Sequence, residues 1–195
     1  YFGLESSGLA YIGMAHDILP KVPVHQINKY HAYIRKLGDN YYYEDNDYDT
    51  AGVNGTWNAR VRGLIAKHQD TPLDIYDQLL AWKVITPTGL LRFEALALYP
   101  VLNEEETYYE CGNCFRPHLH AAGLFCTFCN QRLRKTNQAV RELRLRNHLA
   151  IHAIVEKRKA IRLHCEEMTG QTDNQFQRQR HFRNMVLLDE GPDTI

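Results

Sequence analysis

No apolar run in this chain approaches the roughly 18 residues that a membrane-spanning helix needs, so an integral membrane protein is not expected. The opening Tyr1-Phe2-Gly3-Leu4 is neither basic nor followed by a long apolar stretch; it does not read as a secretory signal, and a cytoplasmic location is expected. There is no GxxxxGK[ST] phosphate loop and no Asp-Glu-x-His or Asp-Glu-Ala-Asp run, which leaves ATP binding by this chain without a visible physical basis. No Ser–His–Asp or Cys–His–Asn set can be assembled either. An initiator Met is lacking and the chain stops abruptly at Asp193-Thr194-Ile195, from which a fragment of a longer protein is expected. Net charge is lacking too, with 23 Lys+Arg against 23 Asp+Glu, but the zero averages two unlike halves. Residues 1–110 hold 9 basic and 15 acidic side chains, and residues 111–195 hold 14 and 8. Such asymmetry suits nucleic-acid contact by the basic half, or docking of one half on the other.

What the chain does have is 195 residues of ordinary globular composition, 44% hydrophobic and 24% charged, enough for one large domain or two small ones. Four of its five cysteines stand as Cys111-x-x-Cys114 and Cys126-x-x-Cys129, with eleven residues between the pairs. A two-residue gap lets both thiolates of a knuckle turn toward one ion, and two such knuckles complete a tetrahedral zinc shell with no open position for water. The expected Zn2+ is therefore structural. Gly112 and Gly123 are placed where tight turns are needed. With the ligand set full, His118 and His120 are expected at the surface or in a second layer around the metal. Cys165 has no partner in spacing and reads as a small buried apolar residue. A zinc deaminase would need His-x-Glu ahead of its Cys pair, whereas His118-Leu119-His120 lacks the Glu and follows the first pair.

The pattern along the chain predicts a mixed α+β fold. Residues 1–70 read as an N-terminal accessory region. Its acidic stretch Tyr41–Asp49 is a strand end and turn; Asp45, Asp47 and Asp49 imitate a calcium loop but lack its Gly and Glu. Trp57, Val61, Leu64 and Ile65 predict a short amphipathic helix up to Lys67. In residues 71–105, Thr71-Pro72 starts a second helix, and Leu90–Val101 alternates like two short strands after Thr86-Pro87-Thr88-Gly89. Helix, tight turn and ribbon give a winged-helix-like element, poor in cations and so expected to pack or bind a partner rather than dock on DNA. A zinc ribbon occupies 106–135. A helix is expected around Thr136–Lys159, then a strand near Ile161–Cys165, a Gly-containing loop and a basic helix capped by Thr172 or Asp173. Strand, loop and capped helix together present backbone amides and hydroxyls to an anion.

The stretch Arg162-Leu163-His164-Cys165-Glu166-Glu167-Met168-Thr169-Gly170-Gln171-Thr172-Asp173, followed by Arg178-Gln179-Arg180-His181-Phe182-Arg183, resembles large bacterial DEAD/DEAH-box helicases of superfamily two. There it belongs to the second RecA-like motor domain, before motif V. The run from Cys111 through His118-Leu119-His120 and Gly123 to Cys129 is similar to the zinc module of the same helicases, which include those of the Druantia and DISARM anti-phage systems. The likeness covers roughly residues 85–190 and is limited to Phe2–Glu5 and Gly8-Leu9 before that. It implies that 136–195 opens an incomplete RecA-like α/β portion, with ATP and Mg2+ bound only in the intact parent protein. The resemblance implies ATP-driven movement on DNA, with the rest of the helicase polypeptide and other defence-system proteins as partners. For DNA contact the expectation falls on Thr169, Gly170, Gln171 and Thr172, with Arg178 on phosphate. The alternative is a stand-alone zinc-binding protein- or nucleic-acid-interaction module without enzymatic activity.

Overall fold

Along the chain, the first regular segment is a strand, β1 (Ala10–Met14), and it is followed by α1 (Ile27–Gly38). The computed structural model describes residues 3–44 and 57–147 and the single positions 150, 151, 154 and 156. The chain divides into two units, Tyr1–Arg158 and Lys159–Ile195, and every described residue belongs to the first. The RecA-like portion expected within 136–195 therefore lies almost wholly outside the described residues.

Sequence reasoning did not anticipate α1, which is buried over much of its surface. Tyr30, His31, Ala32, Tyr33, Ile34, Lys36 and Leu37 are all buried, although Ile27, Tyr30, Tyr33, Ile34 and Leu37 stand at helical spacing and form an apolar face. His31 and Lys36 would look solvent-facing in any periodicity count; tertiary contacts bury them. The next helices follow local signals as expected. Asn58 caps α2 (Ala59–Lys67) by accepting the N–H groups of Arg60 and Val61 at 3.0 Å, and Val61, Leu64 and Ile65 turn inward. Thr71 caps α3 (Pro72–Ala81) by accepting the Asp74 N–H, with Pro72 supplying a fixed φ at the first turn.

After α3, Ile85 and Leu91 bridge antiparallel across the Thr86–Gly89 turn. The turn is held from outside: Trp57 Nε1 donates to the Gly89 carbonyl at 3.1 Å and Tyr76 Oη to that of Pro87 at 2.6 Å. The alternation over Leu90–Val101 resolves into the Leu91 bridge, a single 3-10 turn at Phe93–Ala95 and one strand, β2 (Leu96–Pro100). Its antiparallel partner is β1, running from Ala10↔Pro100 to Met14↔Leu96.

A second sheet has the order β4-β3-β5, made by β3 (Thr107–Cys111), β4 (Pro117–His118) and β5 (Leu133–Ala139). Here the expected helix from Thr136 gives way to strand. Cys111 faces Leu133 and Tyr109 faces Lys135, so pairing with β3 carries the extended backbone on to Ala139, and α4 spans Val140–Leu145. Tertiary pairing outweighs the apolar spacing seen in the sequence. Buried Arg144 fastens α4 to the N-terminal segment, donating to the carbonyls of Gly8 at 3.0 Å and Val101 at 2.7 Å.

The described unit is a mixture of helices and small antiparallel sheets. One core runs through residues assigned by sequence to separate regions, from Met14 and Tyr33 through Leu64 and Leu79 to Cys111, Cys126 and Leu133. Tyr108, Val140 and Leu143 form a smaller cluster beneath α4. No helix among the described residues is long and apolar enough to cross a membrane.

The tightest passage in β1 is Gly13, where an added Cβ would lie 2.8 Å from the His31 ring and 2.9 Å from the Tyr99 ring. Gly13→Ala is expected to lower stability by about 1–3 kcal/mol through overpacking, read from the urea midpoint, with metal content per chain unchanged.

Candidate metal centre

The two Cys-x-x-Cys segments fold into copies of one turn. In the first, the Asn113 N–H points to Cys111 Sγ at 3.5 Å and the Phe115 N–H to the Cys111 carbonyl at 3.0 Å. In the second, Phe128 N–H points to Cys126 Sγ at 3.4 Å and Asn130 N–H to the Cys126 carbonyl at 2.9 Å. Each first cysteine in turn donates its N–H to the carbonyl five residues on, Arg116 or Gln131. Both turns end on a left-handed residue, Phe115 at φ 57° and Asn130 at φ 60°. Asn tolerates this conformation, whereas Phe pays a steric cost there. Of the two glycines expected to make tight turns, Gly123 takes a positive φ of 62° and Gly112 does not; Phe115 does that work in the first knuckle.

Four sulfurs converge between the knuckles. Cys111 and Cys129 are 3.4 Å apart, Cys114 lies 3.6 Å from both Cys126 and Cys129, and all four fall within 4.8 Å of one another. A disulfide would need about 2.05 Å, and the four are free thiols. A tetrahedral ion with metal–sulfur bonds of about 2.3 Å places its sulfurs about 3.8 Å apart, which these spacings match. The four cysteines singled out in the sequence are thus positioned to hold a metal ion, and among the described residues no other His, Cys, Asp or Glu group is so arranged. Burial pushes the Cys114 and Cys126 thiols up. At Cys129 the rise from burial is outweighed by the Gln131 N–H and by its contacts with the Cys111 and Cys114 sulfurs, holding it at about 7. A bound dication favours the thiolate form of all four.

The second knuckle rests on α1 through a buried ammonium. Lys36, only 2% exposed, donates to the carbonyls of Thr127 at 2.7 Å and Phe128 at 3.0 Å, and to Asn130 Oδ1 at 3.0 Å. Burial lowers its pKa, and the charge of Cys126 works the other way. Asn130 Nδ2 donates onward to the Arg60 carbonyl of α2 at 3.2 Å, and Gly63 leaves room for it: a Cβ there would sit 2.8 Å from that nitrogen. Nothing in the spacing of Lys36, ninety residues upstream, signals this role.

His118 and His120 are not at the surface, and they belong to a separate buried cluster. Glu5, His31, His118 and His120 are each at least 95% buried. Glu5 Oε1 accepts the Leu119 N–H at 3.0 Å, Oε2 pairs with Arg35 at 2.6 Å, and His118 Nδ1 and His120 Nε2 approach Oε1 at 3.9 and 3.8 Å. His118 is turned inward at the end of β4, and His120 is buried in the bend that follows it. His120 Nδ1 accepts the Ala122 N–H, so its neutral ring carries its proton on Nε2, toward Glu5. Burial drives His31 down to about 4 and His118 to about 3, with His120 also well below its ordinary value, and it raises Glu5.

The residues expected to contact DNA, Thr169, Gly170, Gln171, Thr172 and Arg178, lie outside the described residues, as do Cys165 and the Asp45–Asp49 stretch.

Lys36→Met strands three acceptors, the Thr127 carbonyl among them fully buried. It is expected to cost about 1–3 kcal/mol in urea unfolding and to speed metal loss to a chelator; a loss rate equal to the parent's would mean that the ammonium does nothing for the cluster. His31 yields a pH signature. Its folded value near 4 lies below the unfolded 6.5, so only the unfolded state takes up its proton as pH falls through that window. Stability from this residue then falls by about 1.4 kcal/mol per pH unit. The raised Glu5 contributes in the opposite direction. The His31→Phe chain should therefore show a shallower acid slope in metal-saturated urea titrations, with the Glu5 and cysteine contributions common to both.

Compared with protein-family models, with curated proteins and with solved structures, the chain matches none, and its reading rests on its own residues.

Proposed function

We propose that this chain is the zinc-stabilised accessory portion of an ATP-dependent DNA helicase of bacterial anti-phage defence. In this reading it works in the cytoplasm by contact rather than by catalysis. The observation that carries the metal part is the convergence of four sulfurs from two matching knuckles. A soft four-thiolate shell suits zinc, and a closed shell has no position for a reacting water, so the ion holds the fold. Structural zinc of this kind is worth an apparent ~10–16 kcal/mol of binding in small metal modules, which makes folding of the ribbon metal-dependent. The helicase part is supported by the resemblance over residues 85–190 and by the basic surplus of residues 111–195. On this reading residues 71–105 are a winged-helix-like packing element and 136–195 opens the second RecA-like domain. The loop Thr169–Thr172 with Arg178 touches the DNA backbone, and ATP with Mg2+ binds elsewhere in the parent protein.

The second reading, a self-contained zinc-binding interaction module, is favoured by one observation. The ribbon and α1–α3 share a single core, as parts of one independent unit would. Two measurements separate the readings. Metal analysis of the purified chain is expected to give one zinc per chain under either. The protein purified from its source is expected to have a mass far above 22.7 kDa and DNA-stimulated ATP hydrolysis, while residues 1–195 alone hydrolyse none. A source protein near that mass without ATPase activity would leave the interaction module.

A further inference from the structure

The outer side of the second knuckle carries a groove that the metal site does not use. A cavity of about 410 Å³ is lined by Arg35, Asp39, Tyr41, Arg116 and Phe128, among others. A second, of about 350 Å³, is lined by Lys36, Asp39, Asn40, Arg60, Phe128 and Asn130, with Cys129 at its wall. They share Asp39 and Phe128, so they adjoin at these two side chains as one groove. That ring is 58% exposed, unusual for a phenylalanine on a knuckle whose first and last cysteines are buried or half-buried. Tyr41 is 58% exposed at one end.

Charge follows the ring. The Arg116 guanidinium lies over the Phe128 ring, 4.3 Å from its centroid, a cation–π contact between the two side chains. Asp39 is already engaged by Arg35 at 3.1 Å and more loosely by Arg116 at 3.7 Å, and Glu5 is buried against Arg35. At the other end Arg60 is exposed, and no carboxylate among the described residues pairs with it. Lys36 lies beside the Cys129 wall and offsets its charge. An exposed aromatic face between guanidiniums, in an open groove instead of an enclosed pocket, is the arrangement that receives stacked bases and tracks a phosphate backbone.

We propose that this groove takes a single nucleic-acid strand, with one base on the Phe128–Arg116 stack and phosphates at Arg116 and Arg60. The inference rests on the DNA-contact reading above, and adds to it a second contact site on the metal ribbon and a preference for unpaired strand. A short fluorescein-labelled oligothymidylate titrated with the full zinc-loaded chain tests it by anisotropy. Phe128→Ala is expected to weaken binding about tenfold or more, while Phe128→Tyr keeps it. Arg60→Ala and Arg116→Ala are each expected to reduce the slope of log affinity against log salt by about 0.7. Zinc content equal to the parent's in each variant shows that the knuckle is intact; Phe128→Tyr and Arg60→Ala, on exposed positions, carry the test if Phe128→Ala loses metal. Binding unchanged by all three alanine variants would overturn the groove and leave DNA contact to another part of the chain. Binding of duplex but not of oligothymidylate would overturn it in the same way. Failure to bind either would overturn both the groove and DNA contact by this chain. Displacement by polyglutamate as effective as by unlabelled oligothymidylate would show charge reading alone, and would also overturn it.

Discussion

The bond set from Lys36 into the second knuckle is the constraint on which the rest of this unit depends. An ammonium buried in α1 satisfies two knuckle carbonyls and Asn130, and Asn130 passes the connection to α2. A buried charge is tolerated only where hydrogen bonds and opposite charge compensate its lost hydration. A dication held by the four cysteines as thiolates would leave two surplus negative charges close to the buried Lys36 ammonium and would help to compensate it. The ammonium in turn fixes the knuckle against the helix. Knuckle and helix are joined in one packed unit, and the core that contains Tyr33 and Leu64 also contains Cys111 and Cys126.

A second buried polar group closes the other side. Glu5 reaches from the N-terminal segment to the Leu119 N–H and to Arg35 of α1, with His118 and His120 flanking it. Lys36 and Arg35 are neighbours on α1, and between them they fasten the helix to the second knuckle and to the strand that follows the first. The ribbon is thereby locked into the N-terminal region through polar contacts as well as through shared apolar core. That arrangement suits a module that presents a rigid surface, and it explains how the knuckle tip can afford an exposed Phe128: the packing that orders the loop comes from beneath it.

Local chemistry is legible where it is short-range. Thr71-Pro72 opens α3 where the sequence marks a start, and Asn58 caps α2 by the same short-range chemistry, because a cap needs only the next three residues. The Cys-x-x-Cys pairs foretell the sulfur cluster because a knuckle is itself a local turn. Spacing failed where a partner distant in sequence decides. Thr136–Ala139 is strand because β3 lies alongside it, and β2 is half of a sheet whose other half stands more than eighty residues earlier.

Residue types and short spacings alone establish four thiols able to close on one ion, two short helices, a mixed fold and a basic second half. These follow from chemistry confined to a few bonds along the chain. The burial of His118, His120, Glu5 and Lys36, and the joining of regions that look separate into one core, depend on contacts between residues ninety or more positions apart. Charged and titratable side chains look like surface in any linear reading, since exposure is their default. Only packing that brings a counter-charge or a carbonyl to each of them turns that default around.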